Sequence, residues 1–174
     1  YFGGISDPAI SVGAKHADVY ALFGESRANI TQIMQRINEQ AAEHQRQPKY
    51  QLSFRPIIAS TESAAWQKAE SILSAVTPMK ARTAVPEAET AKRLLRLSAQ
   101  GDIHDERLWT PIAAAAAGSG NTTALVGTPK QVADAIAAYY QLGVDGVLIR
   151  GFDPYNDAIE YGQELIPRIK EATT

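Results

Sequence analysis

The sequence predicts an α/β fold in which parallel strand–helix units form half of a (β/α)₈ barrel, with a helical insertion between two of the units. Short apolar segments alternate with helical patterns along most of the chain, which is typical of parallel β/α units. The chain has 174 residues, whereas a complete barrel takes roughly 250. A free-standing doubly wound sheet is the alternative architecture.

The first two units occupy the N-terminal part of the chain. Residues 1–4 are typical of a strand end, and neither a Met nor a signal-peptide pattern precedes them, so we expect a piece of a longer chain. Residues 17–23 are apolar and predict a second strand, which Gly24 closes. Ser26 can cap the next helix, whose apolar residues fall at helical spacing: Ile30, Ile33, Met34, Ile37 and Ala41.

A third strand, at residues 50–58, precedes the insertion. Pro56 lacks an amide N–H and predicts a bend or an unpaired position near the end of this strand. Residues 78–120 then interrupt the alternation of strands and helices and contain two helix-like stretches, 87–99 and 105–117. An insertion of this length between β/α units is usually functional or mobile.

Regular units return after the insertion. Residues 123–127 form a short extended piece, and Thr128 starts a helix as part of a capping box with Gln131. Residues 146–152 predict an apolar strand that ends near an arginine. Asp153, followed by proline, begins the last helix.

The composition excludes several classes of function. The formal net charge is −2, so no basic excess indicates a nucleic acid or a membrane surface as partner. The longest run of small apolar residues, 113–117, is far shorter than the ~20 residues that span a bilayer. The absence of cysteine excludes disulfides, Cys-ligated zinc and thiol catalysis. The three histidines lack metal-ligand spacing, and we expect no metal site.

The turn at residues 3–8 is a candidate anion site. Gly3 and Gly4 follow a strand end, Ser6 can cap a helix, and the free amides of a helix N-terminus suit phosphate. The carboxylate of Asp7 would compete with phosphate for those amides. The alternative is an ordinary capped strand–helix turn.

Two arginines are candidate substrate-binding residues. Arg55 and Arg150 lie near the C-terminal ends of predicted strands, which is the active-site face of a β/α barrel. An inward guanidinium there would attract an anionic or electron-rich substrate. Ser53 precedes Arg55 by two residues and therefore points to the same side of its strand. The alternative for each arginine is a structural ion pair.

Several short segments, taken in order, have the spacing of a known enzyme family. They are Tyr1-Phe2-Gly3-Gly4-Ile5-Ser6-Asp7, Ala17-Asp18-Val19-Tyr20, Gly24-Glu25, Arg55-Pro56-Ile57-Ile58, Ala65-Trp66-Gln67-Lys68-Ala69-Glu70, Leu108-Trp109, Thr123-Ala124-Leu125-Val126-Gly127-Thr128 and Gly143-Val144-Asp145-Gly146. This pattern resembles the luciferase-like, flavin-dependent monooxygenases, and most closely the branch that contains alkanesulfonate monooxygenase. The resemblance covers the whole chain and is weakest in the insertion.

The resemblance implies that residues 1–174 are the C-terminal half of a (β/α)₈ TIM barrel, strands five to eight. Residues 78–120 would be the helical insertion after the seventh strand, part of which works as a mobile lid in the family. The implied activity is that of an FMN-dependent monooxygenase. Such an enzyme takes reduced FMN from a partner flavin reductase and uses O₂ to oxygenate a small organic substrate.

The resemblance also implies site residues by position. Gly4, Ile5 and Ser6 would hold the FMN phosphate. The substrate region would contain Ser53, Arg55 and Phe152, and Arg150 at the end of the eighth strand completes the candidate catalytic set.

Three departures from the sulfonate-cleaving relatives leave the substrate open. Those relatives carry an Arg and a His where this chain has Ser53 and Arg55. They carry a Tyr where this chain has Phe152, and a lid Arg where residues 113–120 are uncharged. The substrate could be an alkanesulfonate, another organosulfur compound or a less polar molecule.

Two other functions remain open. One is a deazaflavin-dependent oxidoreductase, and the other is a non-catalytic flavin-binding or half-barrel module that assembles with another chain. We expect a cytoplasmic protein that forms a homo-oligomer. A half-barrel exposes sheet edges and inner strand faces, and a missing first half, a second copy or the insertion could cover them.

Overall fold

The computed structural model describes residues 1–76, 87–118 and 123–173. Strands and helices alternate along most of these ranges. The strands are β1 (Phe2–Gly3), β2 (Val19–Phe23), β3 (Lys49–Ile58), β4 (Ile103–His104), β5 (Leu108–Trp109), β6 (Ala124–Gly127) and β7 (Gly146–Ile149). The helices are α1 (Asp7–His16), α2 (Arg27–Ala42), α3 (Glu62–Val76), α4 (Glu89–Ser98), α5 (Pro111–Ala115), α6 (Pro129–Tyr140), α7 (Pro154–Glu160) and α8 (Ile166–Thr173). A π-helical segment, Tyr161–Leu165, joins α7 to α8.

The main sheet consists of β1, β2, β3 and β7, all parallel, with β3 between β2 and β7. Alternate residues of β3, namely Tyr50, Leu52 and Phe54, are buried in the main core against α2 and α6. The opposite face carries Ser53, whose partner across the sheet, Leu148, is 53% exposed. Helices α2 and α6 therefore cover one face of this curled sheet. The opposite face is open at Leu148, and α3 covers it near the end of β3, at Ile57. The half-barrel prediction is confirmed over the doubly wound alternative.

The C-terminal half of β3 takes part in a second region of packing. Beyond the end of β2, β6 pairs with the last four residues of β3, and the antiparallel strands β5 and β4 extend this sheet. Here the apolar cluster consists of Ile57, Ala65, Ala69, Trp109, Ile112, Ala124 and Val126. The rings of Trp66 and Trp109 meet edge to face, with their centroids 6.4 Å apart. The described part of the insertion thus shares a core with β3 and α3.

Helix starts follow the signals in the sequence. The side chains of Ser6, Ser26 and Asp153 each accept a hydrogen bond from the amide three residues later. Thr128 and Gln131 form the reciprocal capping box. Each cap satisfies an amide that the first helical turn would otherwise leave without a partner, so these predicted starts are confirmed.

Two sequence predictions are wrong in detail. The helix expected at residues 105–117 is instead the hairpin β4–β5 followed by the short helix α5. The chain turns back because Asp105 and Glu106 adopt left-handed φ angles of 47° and 71°. The strand expected at residues 146–152 leaves the sheet after Ile149.

Residues 77–86 and 119–122 lie outside the described residues, and they include residues 78–86 and 119–120 of the insertion. Its proposed lid role therefore stays a prediction. Among the helices that the structure describes, none combines the length and the apolar character needed to cross a membrane.

Candidate functional site

The carboxyl ends of β3 and β7 bring two arginines together. Arg55 lies on β3, and Arg150 directly follows β7, where its amide donates to the Phe54 carbonyl over 3.1 Å. Burial, with the nearby positive charge of Arg150, lowers the pKa of Arg55 below its ordinary value. Both side chains end in a guanidinium, a group that is cationic in proteins. This end of the sheet is therefore positively charged.

The Arg55 side chain is held from two directions. Its Nη1 donates a 2.6 Å hydrogen bond to the Gly151 carbonyl. Its guanidinium carbon lies 4.8 Å from the centroid of the Phe152 ring, a distance at which a cation is attracted to the ring face. The loop after β7 thus fixes the guanidinium at the mouth of the half-barrel.

Ser53 lies on the same face as Arg55, since residues two apart in a strand share a face. Ser53 and Leu148 are partners in the ladder between β3 and β7. The structure therefore gathers the four predicted catalytic residues, Ser53, Arg55, Arg150 and Phe152, at one end of the sheet. Such an arrangement can bind an anionic group at the arginines and an apolar group along Leu148 and Phe152.

Sequence reasoning missed Asp157, which holds the loop that carries Phe152. This carboxylate is 6% exposed, and its Oδ2 accepts the amides of Phe152 and Asp153 over 2.7 and 2.9 Å. The Lys68 Nζ lies 3.6 Å from its Oδ1. A Cβ added to Gly151 would lie 2.2 Å from Oδ2, so only glycine fits here. The one signal in the sequence is a spacing of four between Asp153 and Asp157, which is too common to be informative.

The turn after β1 forms a capped helix start. Gly4 has a φ of 125°, which glycine adopts readily, and its carbonyl accepts a 2.6 Å hydrogen bond from the Tyr20 hydroxyl. Ile5 is buried, whereas Ser6 is exposed and its Oγ accepts the Ala9 amide over 3.4 Å. The capped turn is therefore present. The Ser6 hydroxyl proton takes no part in this cap and can be donated to a ligand.

A second feature that sequence reasoning missed is the buried carboxylate of Glu25, at the end of β2. It is 1% exposed and accepts hydrogen bonds from Arg93, on α4, and from Asn29. Glu25 lines a cavity of about 170 Å³ together with Gly4 and Thr90. Helix α4 therefore covers the carboxyl end of β1 and β2, beside the turn that precedes α1.

The open half-barrel sheet, with cationic residues at its carboxyl end, places the chain in the (β/α)₈-barrel class. The family model for the luciferase-like monooxygenases matches residues 1–146. The chain belongs to the luciferase-like monooxygenase family.

Solved structures with the same fold confirm the architecture. Riboflavin lyase, solved with a modified FMN and riboflavin, is 20% identical with a TM-score of 0.68 over 97% of this chain and 42% of that one. EDTA monooxygenase from Chelativorans sp. BNC1 is 18% identical with a TM-score of 0.71 over 98% and 43%. Coenzyme F420-dependent tetrahydromethanopterin reductase from Methanopyrus kandleri is 19% identical with a TM-score of 0.56 over 96% and 50%. The chain spans half or less of the length of each.

Proposed function

We propose that this chain is the part of an FMN-dependent monooxygenase that binds the flavin phosphate and the substrate. The observation that carries the proposal is the placement of Arg55, Arg150 and Phe152 at the carboxyl end of the sheet, in a member of the luciferase-like monooxygenase family. A partner flavin reductase would supply reduced FMN. The reduced flavin, when bound, provides the electrons that activate O₂ for insertion into a small organic substrate.

The turn after β1 fits a phosphate group. The absence of a side chain at Gly4 matters, because its φ is 125° and an added Cβ would lie 3.1 Å from the Ala9 Cβ. Ser6 offers a hydroxyl proton. Pro8 has no N–H and the Ala9 amide donates to the Ser6 Oγ, so Asp7 supplies the amide in the first turn of α1. Gly4, Ile5 and Ser6 would hold the phosphate by backbone approach, amide donation and one side-chain hydrogen bond.

The substrate side of the site favours an anionic molecule. The positive charges of Arg55 and Arg150 repel each other, and a bound anion offsets that repulsion. Phe152 and Leu148 offer apolar surface for the rest of the molecule. An alkanesulfonate or another organosulfur anion satisfies both requirements. Ser53 would donate or accept one hydrogen bond with the substrate at the carboxyl end of the sheet.

The first test separates flavin binding from helix capping. Ser6→Ala should weaken FMN binding by roughly ten- to hundredfold, because it removes one hydrogen bond to a charged group. Ser26→Ala is the matched control, since Ser26 also caps a helix through a 3.4 Å bond. Capping alone would lower the stability of both variants by about 1 kcal/mol and leave FMN affinity intact. Equal FMN affinity in both variants would falsify the phosphate assignment.

The second test concerns the reaction. The full-length protein of which this chain is proposed to be a part is supplied with FMN, NADH and a flavin reductase. Substrate-dependent incorporation of ¹⁸O from ¹⁸O₂ into product is then measured for sulfonates and for neutral analogues of the same length. Arg55→Met and Arg150→Met should raise KM for the sulfonates more than for the neutral analogues. If product forms but contains no ¹⁸O for any of the substrates, the monooxygenase proposal is contradicted.

Two other functions are separated by the same assays. A deazaflavin-dependent oxidoreductase would transfer hydride from a reduced deazaflavin without consuming O₂; the likeness to the coenzyme F420-dependent reductase favours testing it. A non-catalytic module would bind flavin, or a second chain, without turnover. Because this chain covers only 43% of EDTA monooxygenase, the non-catalytic module is tested as well.

A further inference from the structure

We propose that Asp157 is a positioning residue that sets where the Arg55 guanidinium and the Phe152 ring stand at the mouth of the half-barrel. This inference rests on the proposed function only in taking Arg55 as a substrate-binding group. The contacts that support it are all formed within this chain.

The first step of the argument is the anchoring of the loop. Asp157 accepts the amides of Phe152 and Asp153 through a single oxygen, Oδ2. Because the carboxylate is 6% exposed, these bonds are sheltered from water. Its other oxygen faces Lys68, so the buried charge has a counter-ion. A buried carboxylate with amide and cation partners is held in one position.

The second step connects the loop to Arg55. Gly151 lies between Asp157 and Arg55: its Cα approaches the carboxylate too closely for a Cβ, and its carbonyl accepts the 2.6 Å bond from Arg55 Nη1. The next residue, Phe152, donates its amide to Asp157 and places its ring beside the guanidinium, at 4.8 Å. The Gly151 carbonyl and the Phe152 ring, two of the contacts of Arg55, therefore take their position from Asp157.

The conformation of the loop after β7 depends on the Asp157 carboxylate, because the loop makes no strand pairing with the sheet. Strand β7 ends at Ile149, and beyond Arg150 the loop amides bond to Asp157. Without Asp157 the amides of Phe152 and Asp153 would hydrogen-bond to water instead, and the Gly151 carbonyl would move with them. Arg55 would then lose the fixed position of these two contacts, and its long cationic side chain would be less ordered.

The experiment measures the chemical reactivity of Arg55 in the full chain. Phenylglyoxal modifies arginine, and peptide mass spectrometry gives the rate at each site. In Asp157→Ala we expect Arg55 to react roughly three- to tenfold faster, as a group released from its partners does. Arg168, a half-exposed arginine on α8, is the internal reference and should keep its rate.

Two further variants distinguish positioning from general loosening and from a change of charge. Asp145→Ala removes a matched carboxylate–amide bond, 2.8 Å from the Tyr50 amide at the opposite end of β3, and should leave the Arg55 rate unchanged. Asp157→Asn keeps an acceptor oxygen for the two loop amides and should restore most of the protection. Unchanged reactivity in Asp157→Ala, an equal rise in Asp145→Ala, or no protection in Asp157→Asn would overturn the proposal.

Kinetics add a readout tied to the substrate. If the full chain oxygenates sulfonates, Asp157→Ala should raise KM for them by about tenfold or more with a smaller effect on kcat, because binding geometry is what changes. A fall in kcat alone would contradict the proposed role. If the full chain shows no oxygenase turnover, the proposed function fails, while the Arg55 reactivity still decides the role of Asp157.

Discussion

Arg93 and Glu25 form a two-point ion pair, in which Nε and Nη2 of the guanidinium each donate over 3.2 Å to one carboxylate oxygen. The carboxylate is 1% exposed, and the arginine side chain is 18% exposed. The pair joins α4, in the insertion, to the loop that follows β2. A buried carboxylate in contact with one cation makes the position of α4 depend on that cation.

Arg93→Ala should lower the free energy of unfolding by about 3–5 kcal/mol, because it leaves the Glu25 carboxylate buried without its cation. Arg96→Ala is the matched control on the same helix, since Arg96 pairs with Glu89 and its side chain is 61% exposed. That control should change stability by less than about 1 kcal/mol. Urea titrations of the three proteins provide the measurement. Similar losses in both variants would contradict the assigned role of the buried pair.

Glu62 should make stability depend on acid pH. Hydrogen bonds from Arg107 and Gln131 lower the pKa of this carboxyl from 4.5 to about 2 in the folded protein. A lowered pKa gives stabilisation that is fully present above the unfolded value, near 4.5, and is lost as pH falls toward 2.

The check for Glu62 is the difference in unfolding free energy between the wild type and Glu62→Gln as a function of pH. The difference should be constant above about pH 5.5 and shrink as pH falls from there toward 2, as linkage requires. A difference that stays constant down to pH 2 would show that Arg107 and Gln131 do not act on this carboxyl.

Gly24→Ala should destabilise the fold by about 1–3 kcal/mol or more through overpacking. The new Cβ would lie 2.1 Å from the Phe54 ring, which is itself buried against Tyr139. The control is Gly162→Ala, where an added Cβ meets nothing within 4 Å. That substitution should be neutral or stabilise by up to about 1 kcal/mol, the helix-propensity difference. Thermal melts of both variants decide the matter; equal midpoints would show that the ring moves aside freely.

The open face of the sheet should mediate association of the chain. Leu148 is 53% exposed there, and an uncovered apolar strand face usually marks a contact surface. Leu148→Gln should shift the sedimentation of the chain toward smaller species at a given concentration. Leu142→Gln, an exposed leucine that follows α6, should not. If the wild-type chain still sediments as a monomer at high concentration, this prediction is wrong.

Much of the fold could be predicted from local chemistry. The cap at Ser6, the capping box at Thr128 and the proline in β3 all act within a few residues of themselves, so the sequence carries their signals directly. The hairpin at Asp105 could not be predicted in the same way. Its two non-glycine residues hold left-handed angles because the Asp105 carboxylate bonds to the Arg27 amide at the start of α2, 78 residues away along the chain.

The site was predictable only in part for the same reason. Arg55 and Arg150 could be placed at one end of the sheet because parallel strands align their carboxyl ends. The roles of Asp157 and Arg93 depend on contacts across the fold. Arg93 meets Glu25 over a separation of 68 residues. Lys68 on α3 meets Asp157 on α7, which is also far away along the chain. No local pattern records such pairings.

Pro56 explains why the pairing of β3 with β7 ends at this point. The ladder between β3 and β7 ends at Phe54, and one step further the strand would need an N–H that proline does not have. The Pro56 carbonyl accepts a hydrogen bond from the Tyr161 hydroxyl instead. The chain after β7 is thereby excluded from further pairing, and the Gly151 carbonyl is available to Arg55. One missing hydrogen atom on the backbone thereby sets the point where the sheet ends and the loop that carries Phe152 begins.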